Sequence, residues 1–140
     1  MKGVMAALLL AAPVALAAEP PVSVWLEVVH ASHHGDEVDP SLVHMKEKFT
    51  REGFTYSNYK KVSSQRAELI KNKETEVALP NGRTVKVKLE DFKGGTASIR
   101  VSVPPLDAVY QLGREGSAFM LVGTHNHGVL IFTLSPNPST

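Results

Sequence analysis

Histidines are the residues whose chemistry and spacing most strongly suggest a functional site. His125 and His127 are one residue apart, so an extended backbone would place both imidazoles on one side. His30 ends the first predicted strand, and His33 and His34 follow closely. Neutral imidazole is the commonest metal-binding side chain, and the lack of cysteine favours Zn²⁺, Cu²⁺ or Ni²⁺ over a soft-ligand site. If the two groups converge, three or four imidazoles can form a transition-metal site.

A simpler interpretation places the same histidines in polar turns. Asn126 and Gly128 alone explain why the chain bends there, and histidines are common in exposed loops. The spacing matches no recognised zinc motif such as His-Glu-x-x-His. The choice between the two interpretations depends on whether His30 or the His33-His34 pair lies beside this turn.

Signatures of hydrolytic and calcium-binding chemistry are missing from the sequence. It contains no Gly-x-Ser-x-Gly nucleophile elbow and no glycine-rich phosphate loop. Asp36, Glu37 and Asp39 share one segment, but they lack the order and the later bidentate Glu of a calcium loop. The sequence therefore favours a non-enzymatic protein with no cofactor, apart from the transition ion of the first interpretation.

Aromatic and basic residues alternate in one polar segment. Tyr56 and Tyr59 lie beside Lys60 and Lys61, a mixture that suits binding of a carbohydrate or a peptide. An ordinary strand whose tyrosines pack their rings and keep their hydroxyls in water has the same pattern. We take these four residues as the candidate partner-binding group.

Charge is unevenly distributed along the chain. Residues 18–43 contain five acids and no Lys or Arg, whereas residues 44–73 contain eight basic residues and three acids. The chain as a whole has a formal net charge of +1, without the strong basic excess typical of a DNA-binding protein. We therefore expect no nucleic-acid partner, and the basic segment 44–73 is a candidate surface for an envelope protein or a cell-surface polymer.

The N-terminal residues have the pattern of a secretory signal peptide. Lys2 precedes an apolar run over residues 4–12, and Ala15-Leu16-Ala17 provides the small-x-small cleavage pattern. The apolar run is shorter than the roughly 20 residues that span a bilayer. We predict cleavage after Ala17, leaving a single β-rich domain over residues 18–140 with a flexible tail at 135–140, located in the periplasm or outside the cell.

One strand and one helix open the predicted domain. Residues 22–31 alternate as a strand with bulky residues on both faces, which is typical of a central strand. A helix is predicted over residues 40–52, with Asp39 as its N-cap and Pro40 at its first position. Gly53 is suited to ending it.

Short strands and turns fill the rest of the chain. Residues 55–63 and 65–71 are polar strands expected near a sheet edge, and the strands at 117–124 and 129–134 are apolar enough for the centre of a sheet. Asn81-Gly82 predicts a tight turn with positive φ at both residues, and Gly94-Gly95 predicts another turn. About eight short strands with frequent turns predict an antiparallel β-sandwich carrying one helix after the first strand.

A wider resemblance follows from the order of several landmarks between Val28 and Pro136. These are Ala31-Ser32, Val38-Asp39-Pro40-Ser41-Leu42, Phe54-Thr55-Tyr56-Ser57-Asn58-Tyr59, Leu79-Pro80-Asn81-Gly82-Arg83 and Gly128-Val129-Leu130-Ile131. With them the chain resembles small exported proteins of Gram-negative bacteria that have no assigned activity. Together with the lack of a catalytic motif, this predicts a non-enzymatic accessory or binding protein of the envelope that binds its partner through a sheet edge or the basic segment 44–73. Histidine-based transition-metal binding is the alternative.

Overall fold

A computed structural model describes residues 21–114 and 116–136 of the chain. It contains two four-stranded antiparallel sheets and one short helix after the first strand, which confirms the predicted sandwich-like fold. The predicted signal peptide and most of the predicted tail lie outside the described residues. The strands are β1 (Val22–Ser32), β2 (Asn58–Leu69), β3 (Glu74–Ala78), β4 (Thr84–Lys93), β5 (Thr96–Val103), β6 (Leu106–Leu112), β7 (Ala118–His125) and β8 (Gly128–Ser135), and the helix α1 is Val43–Arg51.

The two sheets differ in the order of their strands. The first sheet has the strand order β2-β1-β8-β7, so the N-terminal and C-terminal strands pair at its centre. The second sheet is the meander β3-β4-β5-β6, in which each strand pairs with the next one along the chain. Pairing of β1 with β8 brings the loop after β1 beside the turn between β7 and β8.

The main core lies between the two sheets. Alternate residues of β1, such as Leu26 and Val28, are fully buried against residues of the second sheet such as Val87 and Ile99. This alternation follows from the two-residue period of a strand, which sends one side-chain set into the core. The predicted central position of the first strand is confirmed, because β1 lies between β2 and β8.

A second core lies under the helix, on the outer face of the first sheet. Leu42, Met45 and Phe49 form the predicted apolar stripe, and all three are buried against β1, β2 and β8. Residues Pro40–Leu42 form a 3₁₀ turn before α1, which itself ends at Arg51. Asp39 caps this turn, since its carboxylate accepts hydrogen bonds from the backbone N–H of Ser41 at 3.0 Å and from its hydroxyl at 2.8 Å.

Two strand predictions need correction. Residues 55–63 and 65–71 do not form two strands, because β2 is one strand with a register shift near Val62. A bulge inserts one extra residue without ending the pairing, so the strand continues past Val62 to Leu69. Of the last two strands only β8 is central, whereas β7 is at the edge of the first sheet with Leu121 40% exposed.

The predicted Pro80-Asn81-Gly82 turn also differs in detail. Gly82 has a φ of 88°, but Asn81 does not have a positive φ. Leu79 N–H donates to the Arg83 carbonyl at 2.8 Å, and Gly82 N–H donates to the Leu79 carbonyl at 3.1 Å. Because proline fixes a negative φ at the first turn position, the left-handed conformation falls on the third loop residue. Gly94 and Gly95, by contrast, both have positive φ, as a two-residue turn requires.

Candidate functional site

A cleft of about 460 Å³ lies at the end of the sandwich where β1 ends and β2 begins. It is bounded by the turn between β7 and β8 and by Pro80 of the β3–β4 loop. We call it the histidine cleft. Its polar walls are formed mainly by His30, Ser32, His34, Asn58, Lys60 and His125.

His30 is held in the cleft by the backbone. Its Nε2–H donates to the carbonyl oxygen of His125 at 2.7 Å, and in the neutral ring Nδ1 is then the unprotonated nitrogen. The ring lies against Gly128, where an added Cβ would be 2.7 Å from Nε2 and would also press on the Ala31 carbonyl. Gly128 therefore provides the space that the His30 side chain occupies.

The turn between β7 and β8 holds two more histidines in a constrained backbone. His125 pairs with Gly128 across the turn, and the two residues between them, Asn126 and His127, have φ of 45° and 62°. Positive φ at both central residues is the type I′ arrangement, which favours Asn followed by Gly. His127 therefore occupies a position that glycine would fill with less strain, at a cost of about 1–2 kcal/mol.

Four of the five predicted metal-ligand candidates come together in two pairs. The ring centroids of His30 and His125 are 6.1 Å apart, and those of His34 and His127 are 5.4 Å apart. His33 points elsewhere, since its ring packs against Tyr56 with the centroids 4.8 Å apart. Among the described residues, no group of three or more His, Asp or Glu side chains is arranged to hold a metal ion.

The two lysines of the partner-binding candidate differ in their surroundings. Lys60 is exposed, pairs in register with His30, and forms no ion pair within the described ranges. Lys61 is mostly buried, and its Nζ lies 3.0 Å from the Glu27 carboxylate. The charge of Lys61 is therefore balanced within the fold, and Lys60 is the lysine whose charge can act on a ligand.

The two tyrosines belong to the core under the helix. Tyr59 is fully buried and stacks on Phe49 with the ring centroids 5.2 Å apart. Its hydroxyl donates to the Phe54 carbonyl and accepts from the Tyr56 N–H, and burial raises the pKa of Tyr59 above its ordinary value. Tyr56 is half-buried between Tyr59 and His33. Tyr59 is thus not accessible to a partner, and the alternative of an ordinary packed strand describes it better.

Glu27 is a buried charged residue that none of the sequence motifs identifies. Its Oε2 accepts from the hydroxyl of Ser64 at 2.8 Å and pairs with Lys61. Within the described part of the chain, its Oε1 has no hydrogen-bond partner, nor has the hydroxyl of Thr133, its register neighbour on β8. An acid between bulky residues in a central strand was the only sequence feature that could have identified it.

Carboxylates limit how far the basic surface extends beside the cleft. A neighbouring groove contains Glu37 and Asp39 as well as Lys60 and Lys61. The donors of Ser41, backbone first and hydroxyl second, hold the pKa of Asp39 below its ordinary value. Among the described residues that line the histidine cleft, none is Asp or Glu. It is therefore the part of this surface best suited to one anionic group.

Comparison with known proteins finds no matching family model, no similar curated protein and no similar solved structure. The resemblance to exported proteins of Gram-negative bacteria therefore stays a prediction. In residues 21–114 and 116–136, no helix is both long and apolar enough to cross a bilayer.

Proposed function

We propose that this protein is a non-enzymatic accessory protein of the bacterial envelope that binds an anionic cell-surface polymer in the histidine cleft. The observation that carries the proposal is the composition of the cleft walls. His34, His125, Lys60 and Asn58 bring ring N–H groups, an ammonium and an amide to one cavity, and none of the described lining residues carries a carboxylate. His30 forms the wall beside them, since its Nε2–H is already used by the His125 carbonyl. Phosphate and carboxylate groups are bound by such donors through charge-assisted hydrogen bonds.

The cleft is better suited to an anionic polymer than to a protein partner. Protein interfaces are usually centred on aromatic and aliphatic side chains that lose all contact with water. Of the candidate aromatic residues, Tyr59 is buried in the fold and Tyr56 packs between its neighbours. The cleft is polar and lies next to exposed Lys60, a composition that fits repeated anionic groups along a chain.

The edge strand β2 is less suited to pairing with a partner strand. At its start, Tyr59 N–H donates to the Glu37 carbonyl and Asp39 N–H donates to the Tyr59 carbonyl, so the edge is already covered there. Further along, the strand has the register shift near Val62 and the exposed charge of Arg66. Bulges and edge charges are features with which proteins avoid strand addition.

Export is the other half of the proposal and rests on the sequence alone. The apolar run over residues 4–12 and the Ala15-Leu16-Ala17 pattern support a signal peptide. The absence of cysteine is compatible with a compartment in which disulfides form, because no free thiol is at risk there. A periplasmic or secreted location would give the cleft access to envelope polymers.

The test is a binding titration with immobilised lipopolysaccharide, a polymer rich in phosphate, and with neutral dextran as the reference. All solutions contain EDTA, so that metal ions do not contribute. We expect binding to lipopolysaccharide that weakens with added salt and falls about fivefold in Lys60→Gln, the loss expected for a charged contact of about 1 kcal/mol. The matched control is Lys86→Gln, an exposed lysine on β4 of the second sheet.

Equal losses in Lys60→Gln and Lys86→Gln would contradict the cleft as the site, and no binding to lipopolysaccharide would contradict the ligand class. Cross-linking from position 60 in an envelope fraction distinguishes a polymer partner from a protein partner. A single cross-linked protein, with no polymer bound, would show that the partner is a protein.

A further inference from the structure

His34 and His127 form a pair of exposed imidazoles that contact each other at the end of the first sheet. Their ring centroids are 5.4 Å apart and the ring planes are tilted by 53°. Two adjacent imidazole ligands of one ion, at a metal–nitrogen distance of about 2.0–2.1 Å, place their ring centroids roughly 4.5 Å apart in square-planar geometry and roughly 5.3 Å apart in tetrahedral geometry. The observed separation is therefore close to that of a chelating pair.

The ring nitrogens of this pair are available to a ligand. Within the described ranges, neither ring forms a hydrogen bond with the protein, whereas His30 and His125 each use one ring nitrogen in a polar contact of 2.7 Å and 3.2 Å. Both residues of the pair lie at the surface, so an ion reaches them without any opening of the fold.

The strand pairing sets this geometry before any ligand arrives. Ser32 and Gly128 are register partners, which places the loop after β1 next to the turn that contains His127. The backbone N–H of His34 donates to the hydroxyl of buried Ser32 at 3.3 Å, anchoring the start of the loop. An ion therefore meets two ligands whose backbones are already ordered.

The conformation of His127 indicates that its side chain matters. A two-residue turn needs only a bend, which glycine makes without strain, yet His127 has a φ of 62°. A non-glycine residue keeps a strained conformation only where the surrounding structure holds it, and such residues are concentrated at functional sites.

We propose that His34 and His127 bind one divalent transition ion, with water in the remaining coordination positions. Two imidazole ligands with no thiolate favour Cu²⁺ over Ni²⁺ and Zn²⁺, following the general order of affinity for nitrogen ligands. This site goes beyond the polymer-binding function and does not depend on it. It adds a positive charge at the mouth of the histidine cleft when the ion is bound.

The experiment is calorimetric titration of the purified protein, without a histidine tag, with CuSO₄, together with electron paramagnetic resonance of the copper-loaded sample. We expect one Cu²⁺ per chain and splitting from two imidazole nitrogens. His34→Gln and His127→Asn should each weaken binding at least about tenfold, since even outer-shell changes reach that size. Asparagine is chosen for His127 because it tolerates positive φ without supplying an imidazole.

The matched controls are His44→Gln, on the exposed side of α1, and His33→Gln, whose ring packs on Tyr56. Both should keep the affinity of the unsubstituted protein. Binding that survives the double substitution of His34 and His127, or that falls equally in His44→Gln, would overturn the proposal. Because the polymer titration contains EDTA, failure of this site and failure of the polymer-binding function are separate results.

Discussion

His30 donates a hydrogen bond from Nε2 to the backbone carbonyl of His125 at 2.7 Å, and it thereby joins the end of β1 to the turn between β7 and β8. The two residues are 95 positions apart in the chain. They meet because β1 pairs with β8, which brings the end of β1 beside the β7–β8 turn, and residues of both of these segments line the histidine cleft. The geometry of the cleft therefore depends on this pairing.

Gly128→Ala should destabilise the protein by about 1–3 kcal/mol, the usual range for overpacking. The added Cβ would lie 2.7 Å from His30 Nε2 and would press on the Ala31 carbonyl, which belongs to the strand and cannot move freely. Urea unfolding measures the change. Gly113→Ala is the matched control, because among the described residues no atom beyond its chain neighbours lies within 4 Å of its added Cβ. A similar loss in both variants would contradict the overpacking explanation.

Lys61→Met should destabilise the fold by about 3–5 kcal/mol, because it leaves the buried Glu27 carboxylate without its cation. The double variant Glu27→Leu/Lys61→Met should recover most of that stability, since neither charge is then buried. Unfolding free energies of the two single variants and the double variant measure this coupling.

Arg66→Met is the control for that cycle. Arg66 pairs with Glu68 on the surface, where both side chains are more than half exposed, so its loss should be below about 1 kcal/mol. If Lys61→Met were no more destabilising than Arg66→Met, the Glu27–Lys61 pair would not be a structural element of the first sheet.

Asp39→Ala should lower stability at pH 7 by about 1 kcal/mol, the usual value of a helix N-cap. The pKa of Asp39 is lowered in the folded protein, first by the hydrogen bond from the Ser41 backbone. A carboxyl group whose pKa is lower in the folded protein stabilises the fold at pH values above its ordinary pKa, which is 3.8 for Asp39. That stabilisation is lost as the pH falls through the pKa of the folded protein. The difference between Asp39→Ala and the unsubstituted protein should therefore shrink between pH 5 and pH 2.

Thermal melts at pH 7, 4 and 2.5 check this pH dependence. Asp36→Ala is the control, since Asp36 is an exposed residue of the loop before the helix. A difference for Asp39→Ala that grew on acidification would contradict the assigned direction of the pKa shift.

Local sequence patterns predicted most of the elements because each depends on near neighbours. Alternation identified β1 as central, and the Asp39-Pro40 start with the Leu42, Met45 and Phe49 stripe identified the helix. The Gly94-Gly95 turn was predicted for the same reason. The position of β7 at an edge was not predicted, because an apolar strand looks the same whether or not another strand pairs with it.

The candidate site was predictable only as a set of separate residues. Nothing local to His34 indicates that it lies beside His127, because their proximity results from the register between β1 and β8. Tyr59 and Lys60 were grouped by sequence, yet adjacent residues of a strand point to opposite faces, so one is in the core and the other is exposed. Glu27 and Lys61 form an ion pair across two strands for which the chain has no motif.

The most direct test of the histidine cleft as the binding site is an amide chemical-shift titration with an anionic oligosaccharide released from lipopolysaccharide, in EDTA. We expect the largest shifts in residues 30–34, 58–61 and 125–128, which surround the cleft. These shifts should weaken in Lys60→Gln and stay unchanged in Lys86→Gln. Shifts centred on the outer face of the second sheet, or none at saturating ligand, would contradict the cleft as the site.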